Sequence, residues 1–270
     1  MFPSVKSVKS NSLNALRGNW AQAVMALAIP VLSVLAVGVL ADAVIYLMDS
    51  LIIQVIFSVI IILTVIFLGL PSFFGVLRLY HSLYTKENID FSEVFYYFSS
   101  KKVYLRAIRF VFAMVFPLTL AAFLLLVPSI ALDFIANGGI DELFQNGIPI
   151  WIANLSIIAT FLRCLAIAAV ILISLKVYVA PYIFMINDKI SVKEVLMQSI
   201  AVSRYGAGPF ILLVFTQLGW VILSILAVPA VFTLPYMLMC YVTHSKYAVN
   251  FYNGYVKSKH SCSDTKSLIL

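Results

Sequence analysis

Charge is the scarcest property of this chain. Only 11% of its 270 residues are Asp, Glu, Lys or Arg, against roughly 25% in an average soluble domain. Hydrophobic residues make up 63%, more than a water-facing fold can hide, so lipid is the expected solvent. Cysteine is scarce as well. Cys164, Cys240 and Cys262 stand far apart, with no CxxC and no Cys/His cluster, which argues against a disulfide framework or a zinc site. There is no phosphate-cradling glycine loop, no GxSxG elbow and no HExxH helix. Paired carboxylates deep in an apolar run, as proton-coupled transport would use, are missing too. These absences leave no catalytic residue, no cofactor site and no metal site to name, and the expectation is a non-enzymatic protein.

Positive charge is absent from half of the connections. Six apolar stretches alternate with polar segments, and all but one of the 18 Lys and Arg residues fall at the N-terminus, in the second and fourth connections, or in the tail. The odd-numbered connections carry Asp42, Asp49, Asp133, Asp141 and Glu142 and no Lys or Arg. Short basic loops stay cytoplasmic during insertion, so the pattern predicts a multi-pass plasma-membrane protein with both termini cytoplasmic. The net charge of +7 then reflects topology plus attraction to anionic inner-leaflet lipid, and it points to no nucleic-acid partner.

A span needs about 20 apolar residues. The apolar runs place spans at about 19–48, 51–70, 103–132, 151–181, 209–228 and 229–249, within a single membrane domain covering 1–270. The fold class is therefore all-α and polytopic, with six transmembrane helices. The first run, from Ala21 to Leu40 behind Lys6, Lys9 and Arg17, imitates a cleaved signal peptide. Its length exceeds the roughly 7–15 residues of a signal core, so a retained span is expected. Pro71 marks the expected inner end of the second span.

Two amphipathic helices are expected on the cytoplasmic surface, at about 90–98 and 191–203. In the first, Phe91, Val94, Phe95 and Phe98 follow i, i+3, i+4, i+7 spacing, and Asp90 with Glu93 resembles a helix start. Ser191-Val192-Lys193-Glu194 opens the second with a capping-box pattern. Its expected apolar face is Val192, Val195, Leu196, Ser199 and Ile200, with Lys193, Glu194, Met197 and Gln198 opposite. Most of the 14 tyrosines cluster near the inner boundary, where an aromatic belt is expected. His81, His244 and His260 read as solvated interfacial or tail residues. A hairpin plus surface helix used twice would relate Leu70-Pro71-Ser72-Phe73 to Ala180-Pro181-Tyr182-Ile183.

Arg163 is the one cation out of place. It lies about a dozen residues into the fourth span, where an unpaired guanidinium costs at least a few kcal/mol. Asp133, at the outer end of the third span, is its natural partner, with Asn154 a secondary donor. Arg163, Asp133 and Asn154 therefore form the candidate intramembrane polar site. Three roles stay open for it: a snorkelling arginine that sets helix depth, an anion or lipid-phosphate site, and a gating or proton role.

Several stretches resemble a known family. Ala15-Leu16-Arg17-Gly18-Asn19-Trp20 opens the first span, and Tyr178 to Tyr182, Ile183, Asn187-Asp188, Ile190-Ser191 and Ala201-Val202-Ser203 follow later. Gly219-Trp220, Pro235-Tyr236 and Phe251-Tyr252 complete the set, which touches both ends and the last third of the chain. Together these residues resemble the uncharacterised bacterial membrane family known as domain of unknown function 975. The resemblance implies a multi-span inner-membrane protein and assigns no catalytic residue.

The expected function is an accessory or binding component of the bacterial plasma membrane, in contact with membrane lipid. A transporter subunit, similar to the permease half of an ABC exporter and paired with a cytosolic ATPase or another membrane partner, is the alternative. A membrane-embedded lipid or peptide enzyme is the third class, disfavoured by the missing nucleophile and metal constellations.

Overall fold

The computed structural model describes residues 2–47, 50–86, 89–136, 155–225 and 227–266. Among them the chain is helical throughout and contains no strand. In order come α1 (Val5–Leu16), α2 (Trp20–Leu47), α3 (Leu51–Thr64), a π-helical turn (Val65–Gly69) and α4 (Leu70–Thr85). A 3-10 helix (Phe91–Phe98), α5 (Lys101–Ala136), α6 (Leu155–Val177) and α7 (Ala180–Ile186) follow. The last three are α8 (Val192–Phe215), α9 (Leu218–Leu223) and α10 (Ala227–Lys266). The chain divides into two compact units, one of Met1–Val111 with Val179–Leu270, the other of Phe112–Tyr178.

Four helical stretches are long and apolar enough to cross a membrane: Trp20–Leu47, Leu51–Thr85, Lys101–Leu132 and Ile157–Ile186. Between 0% and 17% of the most apolar window of each is buried within the protein. Leu32, Val39, Leu51 and Ile52 are each more than 60% exposed. Such surfaces are stable only against hydrocarbon, and the protein is membrane-embedded. The stretches placed at 209–228 and 229–249 are divided differently. The first is split between the end of α8 and the short α9, and the second lies inside the longer α10.

The second span does not stop at Pro71. The helix runs on through Thr85, and the strain of the proline is absorbed one turn earlier by the π-helical turn, closed by Leu70 N–H donating to the Val65 carbonyl. Proline removes the bond to the residue four back, which here is Phe67. The Phe67 carbonyl accepts from the Tyr104 hydroxyl at 3.0 Å. Pro71 thus sits in the first turn of α4, and Pro181 in the first turn of α7. Both prolines open a helix of the buried core instead of closing a span.

The segment at 90–98 is a 3-10 helix, and that changes its buried face. With three residues per turn, Val94 and Tyr97 align and are fully buried, while Phe95 is 51% and Phe98 36% exposed. The expected single apolar face of Phe91, Val94, Phe95 and Phe98 is thus divided, with Val94 turned into the protein and Phe95 and Phe98 left on its surface. Asp90 caps the start, accepting from Ser92 N–H at 2.9 Å and from the Ser92 hydroxyl at 2.6 Å. Those bonds, the hydroxyl first, hold its carboxyl below the usual range. Against α4 the 3-10 backbone comes so near Gly75 that a Cβ there would stand 2.0 Å from the Val94 carbonyl oxygen. Ser82 donates to Glu93 at 2.9 Å and ties the same two elements.

The Ser191 capping box forms as its pattern predicts: Glu194 N–H lies 3.3 Å from the Ser191 hydroxyl, and Ser191 N–H lies 2.9 Å from the Glu194 carboxylate. The helix it opens continues past Ser203 and through Pro209 to Phe215. Its buried residues in this half are Val195, Ser199, Val202 and Ser203, while Met197 and Ile200 are exposed.

Among the described residues of the second unit, Ser129, Ala159 and Ala166 are buried, while Phe116, Phe123, Leu124 and Phe161 are each more than 60% exposed. Pro117 and Pro128 lie inside α5. Hydroxyls beside them turn back onto backbone carbonyls: Thr119 to Val115 and Phe116, each at 3.0 Å, and Ser129 to Leu126 at 2.8 Å.

Candidate functional site

The first unit holds two polar assemblies beside the turn after α7. One is an ion-paired clamp on Asp188. Its Oδ2 accepts from Arg78 at 3.3 Å and from the Tyr96 hydroxyl at 2.8 Å, and its Oδ1 accepts from Arg106 at 3.0 Å. Arg106 also donates to the backbone carbonyls of Asn187 and Ile190. The Arg78 guanidinium lies 3.9 Å over the Tyr96 ring, and that of Arg106 lies 4.4 Å over Phe184. Burial, then the bond to Asp188, raises the Tyr96 phenol above its ordinary pKa. Phe184 continues the clamp into the core, stacked on Phe110 at 4.2 Å and on Tyr97 at 5.6 Å, with Phe74 edge-on to both Tyr97 and Phe110. This assembly fixes the 187–190 turn.

The other assembly surrounds a cavity of about 480 Å³. Helix α10 contributes Lys246, Val249, Asn250 and Asn253, spaced i, i+3, i+4, i+7 and so on one face. Helix α8 adds Gln198 and Val202 one turn apart, and α7 adds Tyr182, Ile183 and Ile186. His81 comes from the last turns of α4. Its Nδ1 lies 3.2 Å from the Tyr182 hydroxyl, and the two rings meet edge-on at 5.7 Å. The Lys246 ammonium lies 4.6 Å from the centre of the Tyr84 ring. Tyr84 is held in turn by a 3.2 Å bond to the Tyr247 hydroxyl, which accepts from Asn11 of α1 at 2.7 Å. Among the described lining residues there is one lysine and no carboxylate. A volume in this range is that of a small-molecule site.

Of the residues singled out from the sequence, Arg163 is half-buried on α6. The Asp133 side chain and Asn154 lie outside the described residues, as does the side chain of His260. His244 is not a solvated histidine. It is 1% exposed, its ring 5.3 Å from both Phe2 and Phe210, because it continues the buried stripe Tyr236-Cys240-His244 of α10 at four-residue spacing. The expected tyrosine belt is corrected in the same way: Tyr80, Tyr97 and Tyr182 are fully buried core residues, and Tyr80 donates to the Ala23 carbonyl at 2.9 Å. Gln198, expected to face water, is exposed and also lines the cavity.

Sequence reasoning missed α1. Its signal was present in Ser4, which caps the helix, and in Val8, Ser12, Ala15 and Leu16, which are buried at helical spacing. Helix α1 packs on α10, where Ser12 donates to Thr243 at 3.0 Å, and its Lys9 ammonium lies 3.0 Å from the Thr216 carbonyl at the C-terminal end of α8. Asp188 carried a weaker signal, as part of the Asn187-Asp188 pair.

No curated protein and no solved structure matches the chain. Residues 1–256 match the family described as Protein of unknown function (DUF975), and with nearly its whole length covered the chain belongs to that family.

Proposed function

We propose that the protein is a non-enzymatic binding or accessory component of the bacterial plasma membrane. It crosses the bilayer six times, with both termini and the connections after the second and fourth spans in the cytoplasm. The cavity between α4, α7, α8 and α10 carries this reading: carboxamides, phenols, an imidazole and an ammonium line it, groups that can hold a polar ligand. The lysine and arginine distribution supports the orientation. For the fifth and sixth spans, the support is the outward apolar surface of the α8–α10 hairpin, where Phe215, Ile222 and Ile225 are 65%, 67% and 82% exposed. Anionic inner-leaflet lipid is the partner that the basic cytoplasmic side favours, and nucleic acid is not a partner. In this reading the 3-10 helix and the first half of α8 lie along the inner surface, presenting Phe95, Met197 and Ile200 to the interface.

Purification of the full chain in a mild detergent, with identification of co-eluting proteins, lipids and metabolites, tests the proposal. Retention of a stoichiometric small molecule or lipid is the expected result. Stoichiometric recovery of an ATPase whose hydrolysis the chain stimulates would replace the binding reading with that of a transporter subunit. Turnover of an added lipid or peptide would replace it with an enzyme.

A further inference from the structure

We infer that an apolar groove between α2, α4, α8 and α10 holds an acyl chain of an ester-linked glycerolipid, whose ester carbonyl accepts a hydrogen bond from Gln217 Nε2. The groove encloses about 350 Å³, and none of its described lining residues also lines the polar cavity. Helix α2 supplies Val31, α4 supplies Phe73 and α8 supplies Val214, while α10 supplies Leu234 and Leu238 one turn apart. Val31, Val214 and Leu234 are each more than 40% exposed. The groove is therefore continuous with the apolar surface that the protein presents to hydrocarbon, and the solvent at its mouth is lipid chain.

Gln217, in the turn between α8 and α9, gives this groove a polar point. It is only 5% exposed, and its Nε2 is buried without a nitrogen or oxygen partner among the described residues. The Cys240 thiol beside it is a weak acceptor and can take one of the two N–H groups at most. A buried amide donor left unmade is costly, and an acceptor entering from the groove removes that cost. Water does not answer the need. A buried water typically makes about three hydrogen bonds, and the described lining offers polar side chains only at Gln217 and Tyr241. An ester carbonyl suits the site because it accepts and brings no proton of its own to satisfy. Depth agrees with this. The Lys9 ammonium lies 3.0 Å from the Thr216 carbonyl, so Gln217 stands within a lysine's reach of the polar boundary, beside which the ester groups of a lipid lie.

Native mass spectrometry and thermal unfolding of the full-length protein in detergent would compare dioleoyl phosphatidylglycerol with its diether counterpart, which keeps the headgroup and chains but lacks the ester carbonyls. The diester should be held about threefold to tenfold more tightly, and Gln217→Leu should erase that difference while both lipids still bind. Val214→Trp, which fills the groove from its exposed flank, should weaken both lipids. If Gln217→Leu does not fold, Val214→Trp decides the question, and an undiminished preference for the diester there would overturn the site. Equal retention of diester and diether by the unaltered protein, or a diester preference that survives Gln217→Leu, would overturn the proposal. So would retention of an isoprenoid quinone in place of phospholipid, or a dimer mass whose formation releases the lipid.

Discussion

The packed end of the first unit and its apolar rods are made of similar residues and held in different ways. Around α4, the 3-10 helix and α7, Phe74, Tyr97, Phe110 and Phe184 are fully buried and interlock as rings, with a guanidinium over Phe184 and a backbone carbonyl against Gly75. In α3 no residue is buried, although its composition is almost entirely aliphatic. Shape complementarity between side chains specifies the first region, whereas in the second the solvent supplies the environment and the helix needs only length and apolarity. Substitutions should therefore be felt strongly in one and weakly in the other.

The largest effect is expected at Gly75. Gly75→Val puts side-chain atoms into the Val94 carbonyl, and since backbone rather than a mobile side chain is in the way, the 3-10 helix must detach. Loss of a monodisperse folded peak in size-exclusion chromatography is predicted. Phe184→Ala removes the ring stacked on Phe110 and Tyr97 and should cost about 3–5 kcal/mol, read as a lower unfolding midpoint in detergent. Arg106→Met leaves Asp188 and two carbonyls short of donors and should cost about 2 kcal/mol, the guanidinium being only 19% exposed. In the second unit, Arg163→Leu and Asp133→Leu test whether a polar pair exists there. If they pair, the double variant should recover about 1 kcal/mol relative to additive losses, and strict additivity would remove the pairing. Least of all, Ile56→Ala on the 52% exposed flank of α3 should change the midpoint by less than about 0.5 kcal/mol. A loss there as large as that at Phe184 would dissolve the contrast.

The legibility of the chain follows the same division. Four spans could be read because length and apolarity are local properties of a segment, and the Ser191–Glu194 capping box because its partners are three residues apart. The identity of the 90–98 helix was legible, but its face was not. Telling 3-10 from α requires knowing that Gly75, far earlier in the chain, lets its backbone come close. The same holds for the continuation through Pro71, beside which the Phe67 carbonyl accepts a hydrogen bond from Tyr104, far along the chain. The cavity was the least legible feature: His81, Tyr182, Gln198 and Lys246 come from four helices, and none carries a local motif. Histidine and tyrosine misled for a related reason, since residues fit for an interface are equally fit for a core that supplies ring contacts or a hydrogen bond, as at His244 and Tyr80.

Orientation in the bilayer is the claim on which the rest depends, because it places the packed end and its cavity on the cytoplasmic side. Single cysteines at Ser50, Ser99 and Lys193 would be introduced into a background lacking Cys164, Cys240 and Cys262, and intact cells treated with a membrane-impermeant maleimide. The account predicts modification at Ser50 from outside, with Ser99 and Lys193 modified only after the cells are opened. Labelling of Ser99 or Lys193 in intact cells, with Ser50 protected, would contradict it.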